Sequence, residues 1–200
     1  MNASVTPHEG HPMRIIEQLA GDPLRGAFER LVRSRYSAVH GAALCHFMPH
    51  LLGCVNADQQ PLAVLGYRDA GEGPLFLEQY LDTPIEHALT DRRTAAGAVS
   101  GALRHRIVEV GNLASCDRRA TAELLRALPR FLLRKGFEWL VFTGTPQVRE
   151  IVAAFGAPLL DLGGADSTRL QDNATEWGRY YDSAPRVMAG RLDHRNQAAA

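Results

Sequence analysis

Lysine is almost missing from this chain: Lys135 is the only one among 200 residues, so every other strong cation is an arginine. An excess of either charge is also missing, because 22 Lys plus Arg balance 22 Asp plus Glu. A neutral chain has no global field to hold a polyanion, which argues against a nucleic-acid partner. Cysteine is scarce. Cys45, Cys54 and Cys116 are odd in number and lack CxxC spacing, which excludes a disulfide framework and fits a reducing compartment. No window approaches the roughly 20 apolar residues of a membrane helix. The richest, GAALCHFMPHLLGCV, is interrupted by His46, Pro49 and His50. The opening MNASVTPHEGHPMR lacks the basic-then-apolar build of a secretory signal. A cytoplasmic protein without integral membrane association is expected.

What is present is an ordinary globular composition, 46% hydrophobic and 22% charged, enough to offset the entropy of ordering a core. Residues 1–12 read as a flexible tail, 13–193 as one domain and 194–200 as a second tail. RIIEQ is a strand closed by Gly21-Asp22-Pro23, with Asp22 expected to cap a helix whose first residue is Pro23. HLLGCV and PLAVLGYR, separated by Asn56–Gln60, predict an antiparallel hairpin. LFLEQYL is a strand or short helix, and Asp82-Thr83-Pro84 starts a helix through Leu89. RIVEVGNLAS is the clearest strand, with Ile107 and Glu109 on one side and Val108 and Val110 on the other. A helix capped by Ser115 or Asp117 follows and ends at Gly136, with Pro129 expected to kink or split it. WLVFTGT, VREIVAAF (ending at Gly156), PLLDL and RVMAGRL alternate strand, helix, strand and strand, and NATEWGRYYD is expected to be helical. The fold class that follows is α/β: a single domain with a mixed central sheet and helices on both faces.

Several residues could carry chemistry. Glu109 lies inside I-V-E-V, where a carboxylate must face a polar cleft or be paired, since burying it alone costs several kcal/mol. It reads as a general base with a raised pKa, or as half of an ion pair with Arg68 or Arg106. Where this strand enters its helix, free backbone N–H groups and Arg118 and Arg119 would suit a phosphate; the alternative is a solvated turn. Asn112 offers a donor and acceptors at the strand's end. Ser115 and Cys116 are nucleophilic types with no base paired to them in the sequence. Thr143 sits where a second strand opens into a helix. Trp177, Tyr180 and Tyr181 fall within one helical turn, with Trp177 and Tyr181 sharing a face; they suit a pocket wall, a proton donor or simple packing. Eight histidines show only HFMPH as close spacing, so no metal site is expected.

Four motifs in order, LFLEQYLDTPIE, VEVGNLAS, LVFTGT and WGRYYDSAPRVMAGRL, resemble the thermostable hemolysin family over about Tyr36–Leu192. That family is grouped with GNAT-type acyltransferases, and GYR at Gly66–Arg68 with RIVEVGNLAS is more loosely similar to acyl-homoserine-lactone synthases. The resemblance implies a GNAT-like fold that passes an acyl group from a thioester donor, acyl-CoA or acyl carrier protein, to a small amine such as an amino-acid derivative. No permanently bound cofactor is implied. It places the donor between the strands RIVEVG and WLVFTG, against Val110, Gly111, Asn112, Leu113, Ser115, Arg118, Arg119 and Thr143. Glu109 would orient or deprotonate the amine, and Tyr180 and Tyr181 would protonate the leaving thiolate or line the pocket. Arg68, Glu78 and Trp177 are assigned to the acceptor. The family's usual glycine-rich phosphate loop is replaced by SCDRRAT, which has no glycine, so acyl transfer is better supported than CoA as the carrier. A non-enzymatic acyl-ligand or partner-binding module is the alternative, and a membrane-lytic protein the third reading.

Overall fold

A computed structural model describes residues 13–90, 93–94, 97–98, 101–154, 158–170 and 174–192. Both expected tails and Gly156 lie outside the described residues. In chain order the elements are β1 (Arg14–Gln18), α1 (Arg25–His40), β2 (His50–Val55), β3 (Pro61–Asp69), α2 (Ile85–Thr90), β4 (Arg93–Thr94), β5 (Gly97–Ala98), β6 (Ile107–Ser115), α3 (Arg118–Arg134), β7 (Trp139–Gly144), α4 (Pro146–Ala153), β8 (Leu159–Gly164) and β9 (Arg186–Arg191). Seven strands form one sheet in the order β1-β2-β3-β6-β7-β9-β8, and β4 and β5 form a separate short pair. Within the sheet only β6 and β7 run parallel; the other neighbours are antiparallel. The parallel pair is where α3 crosses over.

The core follows from strand alternation. Leu52, Cys54, Ala63, Leu65, Tyr67 and Val108 face α3, which meets them with Ala120, Leu124, Leu128 and Leu132. The opposite face is covered in two halves. Phe28 and Val32 of α1 pack on Leu51, Val55, Val64 and Ala114. The turn at Phe76–Tyr80 and α2 bring Leu77, Tyr80, Ile85 and Leu89 onto Ile107, Trp139, Val141 and Val187. The mixed sheet with helices on both faces is therefore as the sequence implied, and Ile107 and Glu109 do point away from Val108. Among the described residues no helix is long and apolar enough to cross a membrane.

Three local expectations are corrected. Helix α1 begins at Arg25 with no side-chain cap, because Asp22 turns back and accepts the Leu19 N–H at 2.7 Å. The Leu24 N–H goes instead to Gln18 Oε1 at 2.9 Å. Helix α3 runs unbroken through Pro129; its apolar face against the sheet outweighs one missing backbone hydrogen bond. Asp117 caps it, accepting from the Ala120 N–H at 2.8 Å. The segment expected to be one helix is two 3-10 turns, Ala174–Trp177 and Tyr180–Ser183, with Gly178 between them in the left-handed region at φ 53°.

The single lysine closes the far end of the sheet. Glu17 on β1 accepts from Tyr67 Oη, and from Lys135 Nζ at 3.1 Å to each carboxylate oxygen, and is bonded to His50 Nδ1 at 3.1 Å. The Lys135 ammonium stands 5.5 Å from the Tyr67 ring and 5.1 Å from that of Phe131. Burial opposes the Glu17 charge, but the bonds from Tyr67, Lys135 and His50 hold its pKa below the usual value.

Candidate active site

Two glycines begin the site. Gly66 on β3 and Gly111 on β6 are register partners, and Met48 lies across both. A Cβ on Gly66 would meet Met48 Cβ at 2.5 Å, and one on Gly111 would meet Met48 Cε at 2.9 Å. Side chains there would expel Met48, so GYR and VEVG carry glycine for close approach. Met48 is fixed in turn by its N–H, which donates to Asn112 Oδ1 at 2.8 Å. Asn112 sits at φ 51°, a conformation that asparagine tolerates better than most residues. The pairing jumps from Gly66↔Gly111 to Val64↔Ala114, so Asn112 and Leu113 face Leu65 alone. This is a β-bulge, and it bends β6.

The bend separates two strands. β6 and β7 pair from Ile107↔Trp139 to Val110↔Phe142 and then part. β6 stays with β3 to Ser115, while β7 continues with β9 to Gly144. Between them opens a cavity of about 690 Å³. Its wall is mostly aliphatic, with Val110, Leu113 and Ala114 from β6, Leu125 and Leu128 from α3, and Val148, Ile151 and Val152 from α4. Polar groups enter from Tyr36 and His40 of α1, Thr143 and Thr145 at the end of β7, Gln147 and Tyr180. Arg35, Arg126, Arg130 and Arg191 add positive charge. Because residues of α1 and α3 both line it, the cavity is a slot reaching both faces of the sheet. The Thr143 hydroxyl is buried and has no hydrogen-bond partner among the described residues.

One end of the slot is aromatic. The Tyr180 ring stacks 6.4 Å from Tyr36 and stands edge-on to His40 at 5.2 Å. Trp177 touches Tyr36, Phe76, Tyr180 and Tyr181 at centroid distances of 5.3–6.2 Å. Tyr180 Oη donates to the Thr143 carbonyl at 3.1 Å, and the Tyr80 and Tyr181 hydroxyls are 2.6 Å apart. Burial pushes Tyr36 up to about 12 and Tyr180 well above its ordinary value. Tyr181 is also raised by burial, with the hydrogen bond from Tyr80 working the other way.

Glu109 is 2% exposed and lies beside the turn Phe76–Tyr80. Its carboxylate accepts the N–H groups of Phe76 at 2.8 Å and Leu77 at 3.0 Å. Burial pushes its pKa up to about 7, against those two bonds and the charge of Arg68. Neither expected ion pair is made: Arg68 donates to the Pro74 carbonyl at 3.3 Å, and Arg106 pairs with Glu138.

The structure gathers six of the sequence-derived residues in the slot wall: Val110, Gly111, Leu113, Ser115, Thr143 and Tyr180. Asn112 shapes the slot from outside by forming the bulge. Glu109, Tyr181 and Trp177 stand behind the aromatic end. Arg118 and Arg119 are exposed at the start of α3, where the Asp117 carboxylate takes the Ala120 N–H. Ser115 Oγ is spent on the Leu62 and Asp117 carbonyls at 3.1 and 2.8 Å. Glu78 borders a different, open cleft. Arg104 bonds both its oxygens, and the Ile85 and Leu75 N–H groups add to it. Despite burial, these bonds hold the Glu78 pKa below its usual value. Sequence reading missed Tyr36, His40 and the α4 wall. Tyr36 and His40 were discoverable, being spaced i, i+4 just before the helix-stopping Gly41.

A family model described as thermostable hemolysin matches residues 19–195. No curated protein matches the chain significantly. Solved structures do. The AHL synthase LasI superposes with a TM-score of 0.60 at 15% identity, covering 94% of each chain. The CoA-dependent acyl-homoserine lactone synthase BjaI, solved with SAM and isopentyl-CoA, gives 0.59 at 13% identity, covering 93% of this chain and 86% of its own. FeeM, an N-acyl amino acid synthase from uncultured soil microbes, gives 0.56 at 16% identity, covering 90% and 89%. The fold is thus that of the GNAT-like acyltransferases.

Proposed function

The chain belongs to the thermostable hemolysin family, and we propose that it is an N-acyltransferase moving an acyl group from a thioester donor to a small amine, such as an amino-acid derivative. The slot where β6 and β7 part carries this reading. Among the described residues the β7-facing edge of β6 has no strand partner beyond Val110, which suits an extended arm bearing amides. The orphaned Thr143 hydroxyl offers that arm a further bond. The aliphatic wall suits the acyl chain. In the transfer the amine nitrogen attacks the thioester carbonyl, a C–N bond forms and the C–S bond breaks. Backbone N–H groups of Val110–Leu113 stabilise the oxyanion between these events. The amine loses a proton to a base and the thiolate gains one. Tyr180, which lines the slot wall, is the proposed proton donor, and Tyr181 packs behind it. Glu109 orients the site by holding the Phe76–Leu77 turn, and Arg68 and Trp177 support the acceptor side.

The donor is acyl-CoA or an acyl carrier protein. Arg118, Arg119 and the four slot arginines supply charge for its phosphate. The similarly folded BjaI was solved with isopentyl-CoA, which supports a CoA-type donor here. A second reading, an acyl-binding module without catalysis, is favoured by the Asp117 carboxylate on Ala120 N–H, where a donor phosphate would otherwise sit.

A thermal-shift panel with CoA, acyl-CoAs of increasing chain length and an acylated carrier protein tests the proposal. A ligand at about 100 times its Kd stabilises by roughly 2.7 kcal/mol, on the order of 5–10 °C for a domain of this size. A shift that depends on the acyl chain, followed by thiol release with an amine, supports transfer. A shift without thiol release selects the binding module, and no shift with any donor overturns both.

A further inference from the structure

We propose that His40, at the end of α1, is the base that takes the proton from the acceptor amine. The inference rests on the acyl-transfer reading above and names a residue of that same site. Its first support is position: the imidazole lines the slot beside Tyr36 and Tyr180. Glu109, the other base-competent group nearby, is enclosed behind the wall with both oxygens committed to backbone N–H groups. Among the described residues the His40 ring nitrogens make no hydrogen bond, so both remain available to a ligand.

The second support is how firmly the residue is held. The His40 carbonyl accepts the Arg179 N–H at 2.8 Å, and the Ala43 N–H donates to the Glu176 carbonyl at 2.7 Å. Gly41, left-handed at φ 65°, returns its N–H to the Ser37 carbonyl at 2.8 Å. Gly178 fits directly under His40, since a Cβ there would lie 2.3 Å from the His40 oxygen. The ring itself is confined between Tyr180 at 5.2 Å and Tyr36 at 5.8 Å. A base that must meet an amine in one geometry needs this kind of clamp.

The surrounding charges agree. Tyr36 on the same helix and Tyr180 opposite stay neutral through physiological pH, because burial raises both. The charge acting on His40 is cationic, that of Arg179 on the facing turn, and Arg35, Arg126, Arg130 and Arg191 line the same slot. Glu176 is engaged with His46 at 3.3 Å. Burial and then Arg179 lower the His40 pKa, against the helix C-terminus, which favours imidazolium. His40 is therefore an unprotonated acceptor at neutral pH. In the step, its free ring nitrogen takes the ammonium proton as the C–N bond forms. The imidazolium then returns that proton to solvent, and the thiolate takes its own from Tyr180, which solvent reprotonates.

The test uses ¹⁵N-histidine-labelled protein, with the His40 resonance assigned by loss in His40→Gln or, should that variant not fold, His40→Asn. It is titrated from pH 5 to 8 with and without a non-reactive thioether analogue of octanoyl-CoA. We expect the His40 resonance to titrate below the ordinary histidine value and to move when the analogue binds. In turnover with octanoyl-CoA and a panel of L-amino acids, His40→Gln should lower kcat about 100-fold or more. Its donor KM should be unchanged and the acid limb of the pH profile lost. Binding of the analogue with an unmoved His40 resonance, or wild-type kcat in the variant, overturns the assignment and leaves the acyl-transfer reading standing. An acid limb that persists in His40→Gln and vanishes in Glu109→Gln assigns the base to Glu109. Absence of any response both to this analogue and to the same thioether carried on an acyl carrier protein overturns the acyl-transfer reading, and His40 with it.

Discussion

The α-carbon of Gly178 rests on the carbonyl of His40 so closely that a Cβ would stand 2.3 Å from its oxygen. This contact joins the end of α1 to the turn that carries Trp177, Tyr180 and Tyr181. Without it the aromatic end of the slot has no fixed floor. Gly178→Ala meets both backbone atoms that cannot yield and a φ of 53°. It should cost about 2 kcal/mol and lower Tm by about 4–8 °C, read by thermal denaturation. An unchanged Tm would mean that the two segments are not clamped.

Asn112 allows a sharper comparison. It supplies both the left-handed backbone at φ 51° and the acceptor for the Met48 N–H. Asn112→Gly loses only the acceptor, whereas Asn112→Ala loses the acceptor and strains the backbone. The alanine variant should therefore be the less stable by about 1 kcal/mol, measured by urea denaturation. Equal stabilities would mean that the left-handed backbone at position 112 is not kept in the folded variants.

Glu109 predicts a pH dependence of stability. Its pKa rises from 4.5 to about 7 on folding, so between those values the folded protein binds the proton more tightly than the unfolded chain. Stability must then fall as pH rises from about 4.5 to about 7, by on the order of 3 kcal/mol from this group, and level off above. Glu109→Gln should remove that slope. A slope retained in the variant would place the titrating group elsewhere.

The Tyr80–Tyr181 pair can be read spectroscopically. The bond from Tyr80 works to lower the Tyr181 pKa against burial. Tyr80→Phe should push the Tyr181 phenol higher in an ultraviolet titration and cost about 1 kcal/mol of stability. A fall in the Tyr181 titration would show instead that Tyr181 is the donor of the pair.

The sheet was legible because its signals are local. The hairpin of β2 and β3 reads from two apolar runs around Asn56–Gln60, and β6 reads from the alternation around Glu109. The slot was harder, because it depends on three separated segments meeting: Met48, Gly66 and the Gly111–Asn112 pair. No single window contains that contact. The aromatic turn misled because Trp177, Tyr180 and Tyr181 have helical spacing, while the backbone bonds Ala43–Glu176 and His40–Arg179 draw the chain into tighter turns. The capping expectation at Asp22 failed for a similar reason: a side chain with two nearby N–H groups took the one in its own turn. Both readings of Glu109, general base or ion-pair partner, overlooked backbone donors from the turn packed beside it.

Lys135 takes on a different meaning once a thioester is placed in the slot. An activated acyl group is indiscriminate toward amines, and an enzyme that holds one is exposed to its own chemistry. This chain offers a single side-chain amine in 200 residues. That amine is bonded to Glu17 and laid over the Tyr67 and Phe131 rings, at the far edge of the sheet. The arginines that line the slot are poor nucleophiles, because their guanidinium groups keep their protons. On the acyl-transfer reading proposed above, a site built with arginine instead of lysine would attract a donor's negative charge without competing for its acyl group.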